Sequence, residues 1–333
     1  MKVVFPILAD LHYFDFSKNP EMELDEVKWF VSLTKLYIKF ASILGFSAIR
    51  ARLMLASWQM EKKARVDKAL NQAQAENQGE VIGGIILAGD MVHGDRTKGI
   101  KTRWAKREAR HLLSLVAQTF SVKRKDIFCI ADTHGTGWIE ATGDIRRQGG
   151  PSRASFKAHT KVFGPFCNKR ELNEHFMLVC IASEPFLISE QNRHRYRPKQ
   201  WRLLDGEQKR ELRWLKQTLE SNNKQIVLLV HDPGALVCQD LQKVIDRHYD
   251  RLALTICGHL HARWYAWLLK TFYRRDLKAV CQKYKVEVVP AIWGVVLPWF
   301  FTPGAGRAKL VLMGKKLALW ILYRSGRELK IDI

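Results

Sequence analysis

Val81-Ile82-Gly83-Gly84-Ile85-Ile86-Leu87-Ala88-Gly89-Asp90-Met91-Val92-His93-Gly94-Asp95 is the stretch whose reading decides the fold. A β-branched apolar run stops abruptly at Gly89-Asp90. A strand buried on both faces reads this way, and in an open α/β sheet sites are built at the carboxyl ends of such strands. The glycine permits a sharp exit, and the aspartate that follows is delivered to the sheet edge. A single strand with a polar turn would look the same, so the other strand ends have to be compared.

They repeat the pattern. Lys2–Asp10 predicts a first strand running into Asp10-Leu11-His12. Asp126–Ala131 runs into Asp132-Thr133-His134-Gly135, Gln225–Val230 into His231-Asp232-Pro233-Gly234, and Leu252–Cys257 into Gly258-His259-Leu260-His261. Side chains alternate along an extended segment, so in Asp10-x-His12 and His259-x-His261 both side chains of each pair can face one ion. A mixture of carboxylate and imidazole suits zinc, manganese or iron better than magnesium or calcium. Two such ions can clamp a phosphoryl group and activate a water.

Between these ends the chain alternates helix and strand. The spacing predicts helices over 98–120, near 153–162, over 205–220 and over 262–284, and a strand over 176–182. Shorter strands at 286–290, 309–313, 317–323 and 328–333 close the chain. Residues 136–174 read as a long loop bordering the site, interrupted only by the helix near 153–162. Residues 13–80 form a long insert after the first strand. Within it Trp29, Leu33, Leu36, Phe40, Ile43 and Leu44 recur at helical spacing. A second helical stretch, 47–75, turns strongly basic at Lys62, Lys63, Arg65 and Lys68. A helical hairpin on the core and a basic amphipathic lid both fit that pattern. The expected architecture is α/β, one domain over 1–333, with 13–80 as a helical insert or lid.

The 333 residues carry a net charge of +22, which favours anionic partners: a phosphorylated substrate, an anionic membrane surface or nucleic acid. The six cysteines, at 129, 167, 180, 238, 257 and 281, form no CxxC pair. Several sit in apolar runs, the usage of a reducing, cytoplasmic compartment rather than of a disulfide framework. Asp10 and His12 interrupt the N-terminal apolar run, so no secretory leader is expected. Pro298 breaks the late apolar run 291–301, which is too short to span a bilayer. A soluble or membrane-peripheral protein follows.

Taken in order along the chain, Asp10-x-His12, Gly89-Asp90, the histidine motif at 134, His231 and Gly258-His259-x-His261 resemble the calcineurin-like metallophosphoesterase superfamily. Gln208 with Trp214-Leu215, in the helix before His231, is a weaker feature of the same kind. The resemblance implies a four-layer αββα sandwich of two mixed sheets, with the helical insertion after strand 1. It implies two divalent metal ions, manganese, zinc or iron. Asp10, His12 and His261 would hold one, His231 and His259 the other, and Asp90 would bridge them. His134 stands where the family places a histidine that protonates the leaving group or steadies the transition state. The third motif departs from the family's Gly-Asn-His-Asp/Glu. Thr133 occupies the place of the metal-binding asparagine, Asp132 offers a carboxylate beside it, and Gly135 replaces the acidic residue that orients the histidine.

The expected activity is a metal-dependent phosphohydrolase cleaving a phosphoester or pyrophosphate with metal-activated hydroxide. A lipid-linked or nucleotide substrate is favoured by the amphipathic insert and by the basic, aromatic stretches 263–273 and 293–301. The rivals are a nuclease on DNA or RNA, which the charge permits, and a catalytically weakened family member that binds membranes or nucleic acid. Nucleic acid ranks below a small phosphorylated substrate, because the basic residues are spread over many segments without a recognised binding motif. Arg146, Arg147 and Arg153, with Arg193, Arg195 and Arg197, are candidates for bidentate phosphate recognition, against a solvated basic loop. Asp232 either orients a ligating histidine or starts a turn with Pro233-Gly234.

Overall fold

The computed structural model describes residues 1–9, 11, 62–92, 100–131, 136, 151–188, 196–258, 275–290, 306–323 and 326–333. The proposed amphipathic helix over 29–44, most of the 13–80 insert, and the stretches 263–273 and 293–301 therefore lie outside the described residues.

In chain order the strands are β1 (Lys2–Leu8), β2 (Val81–Ile82), β3 (Ile85–Leu87), β4 (Ile127–Cys129), β5 (Asn168–Glu171) and β6 (Phe176–Ile181). They continue as β7 (Gln225–Val230), β8 (Leu252–Cys257), β9 (Val286–Val288), β10 (Gly306–Met313), β11 (Lys316–Tyr323) and β12 (Glu328–Asp332). The helices are α1 (Lys62–Glu76), α2 (Arg103–Thr119), α3 (Arg153–Phe163), α4 (Pro198–Glu220), α5 (Gln239–Asp246) and α6 (Arg275–Lys283).

Two mixed sheets result. One has the order β12-β11-β10-β1-β3-β4, with β2 also on β1; the other runs β5-β6-β7-β8-β9. In the first, β1, β3 and β4 are parallel, and the hairpin strands β10, β11 and β12 add antiparallel on the far side of β1. In the second, β6 to β9 are parallel and β5 joins β6 antiparallel.

Strand alternation sorts the apolar side chains into three layers. Phe5 and Ile7 of β1, Ile86 of β3, Phe128 of β4, Leu178 of β6 and Leu229 of β7 all meet in one central cluster. The alternate residues Leu8, Ile85, Leu87 and Cys129 turn outward to Leu70 of α1, Leu112 of α2 and Val162 of α3. On the other side, Val179, Leu228 and Val230 turn outward to Leu215 of α4, Leu241 of α5 and Leu277 of α6. Each central strand is thus buried on both faces, which is why these segments read as continuous apolar runs. The architecture is a sandwich of two mixed sheets between helical layers, as expected.

Three local differences have physical causes. The strand expected over 81–88 is split at Gly83-Gly84, because the Phe5 ring lies 2.4 Å from where a Gly83 Cβ would sit and Gly84 has φ +156°. The helix expected to begin at 205 begins at Pro198, whose ring suits a first turn. Its added turns bury Leu204 in a separate cluster with Phe156 and Phe166, off the Leu215–Leu219 stripe. Finally, Asn168–Glu171 is an edge strand where a loop was expected; its polar sequence suits a half-exposed edge.

Candidate metal centre where the two sheets meet

Because β1, β3 and β4 run parallel, their carboxyl ends leave the first sheet on one edge. The same holds for β6, β7 and β8 in the second. Asp90 follows β3 and His231 follows β7, so the two residues belong to different sheets. They nevertheless meet: His231 Nε2 lies 3.2 Å from Asp90 Oδ2, with side-chain exposures of 0% and 3%. The carboxyl edges of the two sheets therefore converge here.

The local backbone is shaped around this contact. Gly89 has φ +102°, and a Cβ there would lie 2.0 Å from His231 Nδ1. The imidazole is laid directly against the glycine, so this position needs glycine both for its conformation and for space. Asp90 itself has φ +47°, the left-handed region that a non-glycine residue adopts at some strain. Such strain is held where the surrounding structure requires a particular side-chain direction.

The imidazole is fixed as well. His231 Nδ1 lies 2.8 Å from the Ala88 carbonyl oxygen. A carbonyl only accepts, so Nδ1 carries the proton and donates it. In the neutral ring Nε2 then presents its lone pair to the Asp90 carboxylate. Two buried acceptors turned toward one another are a fitting receptor for a cation, and a ring nitrogen tied to a backbone carbonyl is the usual support of a metal-ligating histidine. The donor set, one carboxylate and one imidazole, fits a divalent transition metal.

Behind His231, further hydrogen bonds hold the turn. The Asp232 amide donates to Ser183 Oγ at 2.8 Å, and Asp232 Oδ1 accepts from the Gly234 amide at 2.7 Å. Asp232 thus caps the short 3-10 turn Pro233–Val237. Next to Ser183, the Ala182 amide donates to Glu211 Oε2 at 3.0 Å. Burial pushes the Glu211 carboxyl up to about 8. Gln208 donates to the Pro185 carbonyl at 3.0 Å and bridges α4 to the turn after β6. Ser183 and Glu211 were not singled out by sequence reasoning. Glu211 in a long, charge-rich helix looks like a solvated residue, and only its burial marks it.

Of the expected site residues the structure brings Asp90 and His231 together. Asp10, His12, Asp132, Thr133, His134, His259, His261, Arg146 and Arg147 lie outside the described residues. Among the described residues no group of three or more histidine, cysteine, aspartate or glutamate side chains forms a fuller cage. Arg153 opens α3 and lines a cleft between α3 and α4. That cleft flanks the carboxyl edges of β4 and β6, since its Phe156 and Phe166 pack with Ala131 and Ala182.

No protein-family model and no curated protein matches the chain. Among solved structures it is similar to the crystal structure of a dimetal phosphatase from Danio rerio, with 12% identity and a TM-score of 0.49. The alignment covers 99% of this chain and 98% of that one. No helix among the described residues is long and apolar enough to cross a membrane.

Proposed function

We propose that the protein is a metal-dependent phosphohydrolase acting on a phosphoester or pyrophosphate. The observation that carries this is the Asp90–His231 contact: a carboxylate and an imidazole from two different sheets, buried, 3.2 Å apart, with the far ring nitrogen tied to a backbone carbonyl. The motif series along the chain offers further donors: Asp10, His12 and His261 are assigned to one ion, and His259 joins His231 in a second group. Asp132 and Thr133, at the place of the metal-binding asparagine of the third motif, are assigned to the second group.

When bound, two divalent ions would lower the pKa of a water and neutralise the phosphoryl oxygens. The chain's own residues do the rest. Asp90 supplies negative charge between the two donor groups, and its strained backbone fixes where that charge sits. His231 is held in one tautomer by Ala88, so its basic nitrogen cannot rotate away. Gly89 keeps the ring and the carboxylate within reach. His134 is the residue assigned to give a proton to the departing oxygen or to steady the transition state. The excess of cations over the whole chain draws phosphorylated anions toward the protein.

Turnover of bis-p-nitrophenyl phosphate with manganese, zinc or iron tests the reading, together with metal content by elemental analysis. The wild type should bind metal, hydrolyse the ester and lose both metal and activity to a chelator. Asp90→Asn should abolish turnover while keeping a cooperative melt. Full activity in that variant overturns the assignment. The lipid-linked substrate rests on sequence outside the described residues, and vesicle co-sedimentation with and without residues 28–60 tests it separately.

A further inference from the structure

The cleft between α3 and α4 has a volume of about 720 Å³. Arg153, Lys157 and Lys161 lie on one wall and Arg202 and Arg210 on the other. The three cations of α3 are four residues apart, so they recur on successive turns along one helix face. That row is about 12 Å long, with cations about 6 Å apart. On the facing helix Arg202, Gly206 and Arg210 follow the same spacing, and Gly206, without a side chain, keeps the middle of the groove open. All five cations are exposed. Arg210 pairs with Glu207, whereas Arg153, Lys157, Lys161 and Arg202 have no carboxylate partner among the described residues. Like charges held together without counter-charges repel one another, and an anionic ligand relieves that repulsion.

We propose that this groove binds the sugar-phosphate backbone of a single-stranded nucleic acid. A row of three cations at regular steps, faced across the groove by Arg202 and Arg210, suits a linear polyanion, whereas a single phosphate would need one or two of them. The groove is an open trench, so a strand can enter and leave at its ends. A membrane-docking surface would need apolar side chains at its rim. The large apolar residues exposed among the described residues are Met1, Val81, Tyr249 and Met313, and none borders the groove. Of its apolar residues, Phe156 and Phe166 are buried in the floor and Leu203 is partly buried against the same cluster, so none is presented to a bilayer. The groove flanks the carboxyl ends of β4 and β6, whereas Asp90 and His231 follow β3 and β7, and its charge does not depend on those two residues.

Binding is measured by fluorescence anisotropy of a labelled 12-nucleotide oligothymidylate on the full chain, in chelator. The outcome is then independent of hydrolysis. Affinity should fall steeply with salt, each neutralised phosphate adding about 0.7 to the slope. Reversing Lys157, Lys161 and Arg202 to glutamate should weaken binding at least tenfold at low salt and lower the slope by about 2. A control with Lys101, Lys123 and Lys315 reversed has the same net charge and should bind like the wild type. All six side chains are exposed, and thermal melts verify folding of both variants. Equal losses in the two variants, an unchanged affinity in the first, or no binding by the wild type overturns the proposal. So does binding of phosphatidylglycerol vesicles that requires the groove cations when the oligonucleotide does not bind.

Discussion

Among the described residues two histidines, His231 and His159, are fully buried in opposite settings. His231 lies at the meeting edge of the two sheets with its Nδ1 donating to a carbonyl and its Nε2 facing a carboxylate. His159, on α3, packs between the rings of Phe163 and Phe166, at centroid distances of 5.0 and 5.2 Å. Neither of its ring nitrogens has a hydrogen-bond partner among the described residues. Burial drives its pKa down to about 3, so it is a neutral, slightly polar aromatic spacer. Burial alone therefore marks neither residue as functional. What separates them is whether the surroundings fix the tautomer and bring an acceptor to the second nitrogen.

Removing each ring in turn separates the two settings. Replacing His231 by alanine should lower kcat/KM on a phosphodiester more than ~100-fold and reduce the bound metal, since a ligand is lost. His159→Leu should change kcat/KM less than about threefold. If both variants lose activity alike, the distinction drawn from their settings is wrong. Gly89→Ala comes next. Its Cβ would overlap the His231 ring at 2.0 Å from Nδ1, and its φ of +102° is costly for alanine. A loss of more than ~3 kcal/mol in denaturant unfolding is expected, with activity falling as the ring is displaced. A stable, active Gly89→Ala protein would show that the ring and the glycine are not tightly seated.

The third comparison is read by pH. Above 6.5 the His159 ring is neutral in the folded and the unfolded chain alike. Below it the unfolded chain takes up a proton that the fold refuses until about pH 3. Stability therefore falls as pH drops through that window and levels off beneath it. Glu211 acts with the opposite sign. Its unfolded carboxyl ionises from 4.5, while the buried one keeps its proton to about 8, so stability falls as pH rises between the two. Each term is of the order of a few kcal/mol. Urea midpoints from pH 4 to 9 should show His159→Leu flattening the acid limb and Glu211→Gln flattening the alkaline one. Unchanged limbs would mean that water reaches these groups.

Much of this was legible in the sequence. The buried strands announce themselves because both faces are covered, so Gln225–Val230 and Leu252–Cys257 fall where the apolar runs place them. Gly89-Asp90 and His231 were legible as strand ends, because a carboxylate or imidazole closing an apolar run is unusual. Their meeting was not, since it depends on how two separate sheets pack. Nor was the reason for Gly89: the strand exit was visible, but the ring lying on it comes from a residue far along the chain. Glu211 and Ser183 were missed because helix charge and a lone serine look ordinary until burial is known. The cation rows of the α3–α4 groove were hidden in part because α4 starts before the apolar stripe that signals it. Arg202 therefore falls outside the helix expected over 205–220.

The smallest expected effect concerns Asp232, which the sequence allows either to orient a ligating histidine or to begin a turn. In the structure its Oδ1 accepts from the Gly234 amide, and it caps the turn at Pro233. His231 is oriented by the Ala88 carbonyl at Nδ1, 2.8 Å away, a contact that does not involve the Asp232 side chain. Asp232→Ala should thus lower stability by about 1 kcal/mol, the usual loss of a cap, and leave kcat within a few-fold of the wild type. Asp232→Asn keeps an acceptor oxygen for the Gly234 amide and should recover most of the stability. A collapse of kcat in both variants, with stability little changed, would instead place the Asp232 charge in the metal centre. His231 would then owe its setting to a neighbouring carboxylate as well as to the backbone of the opposite sheet.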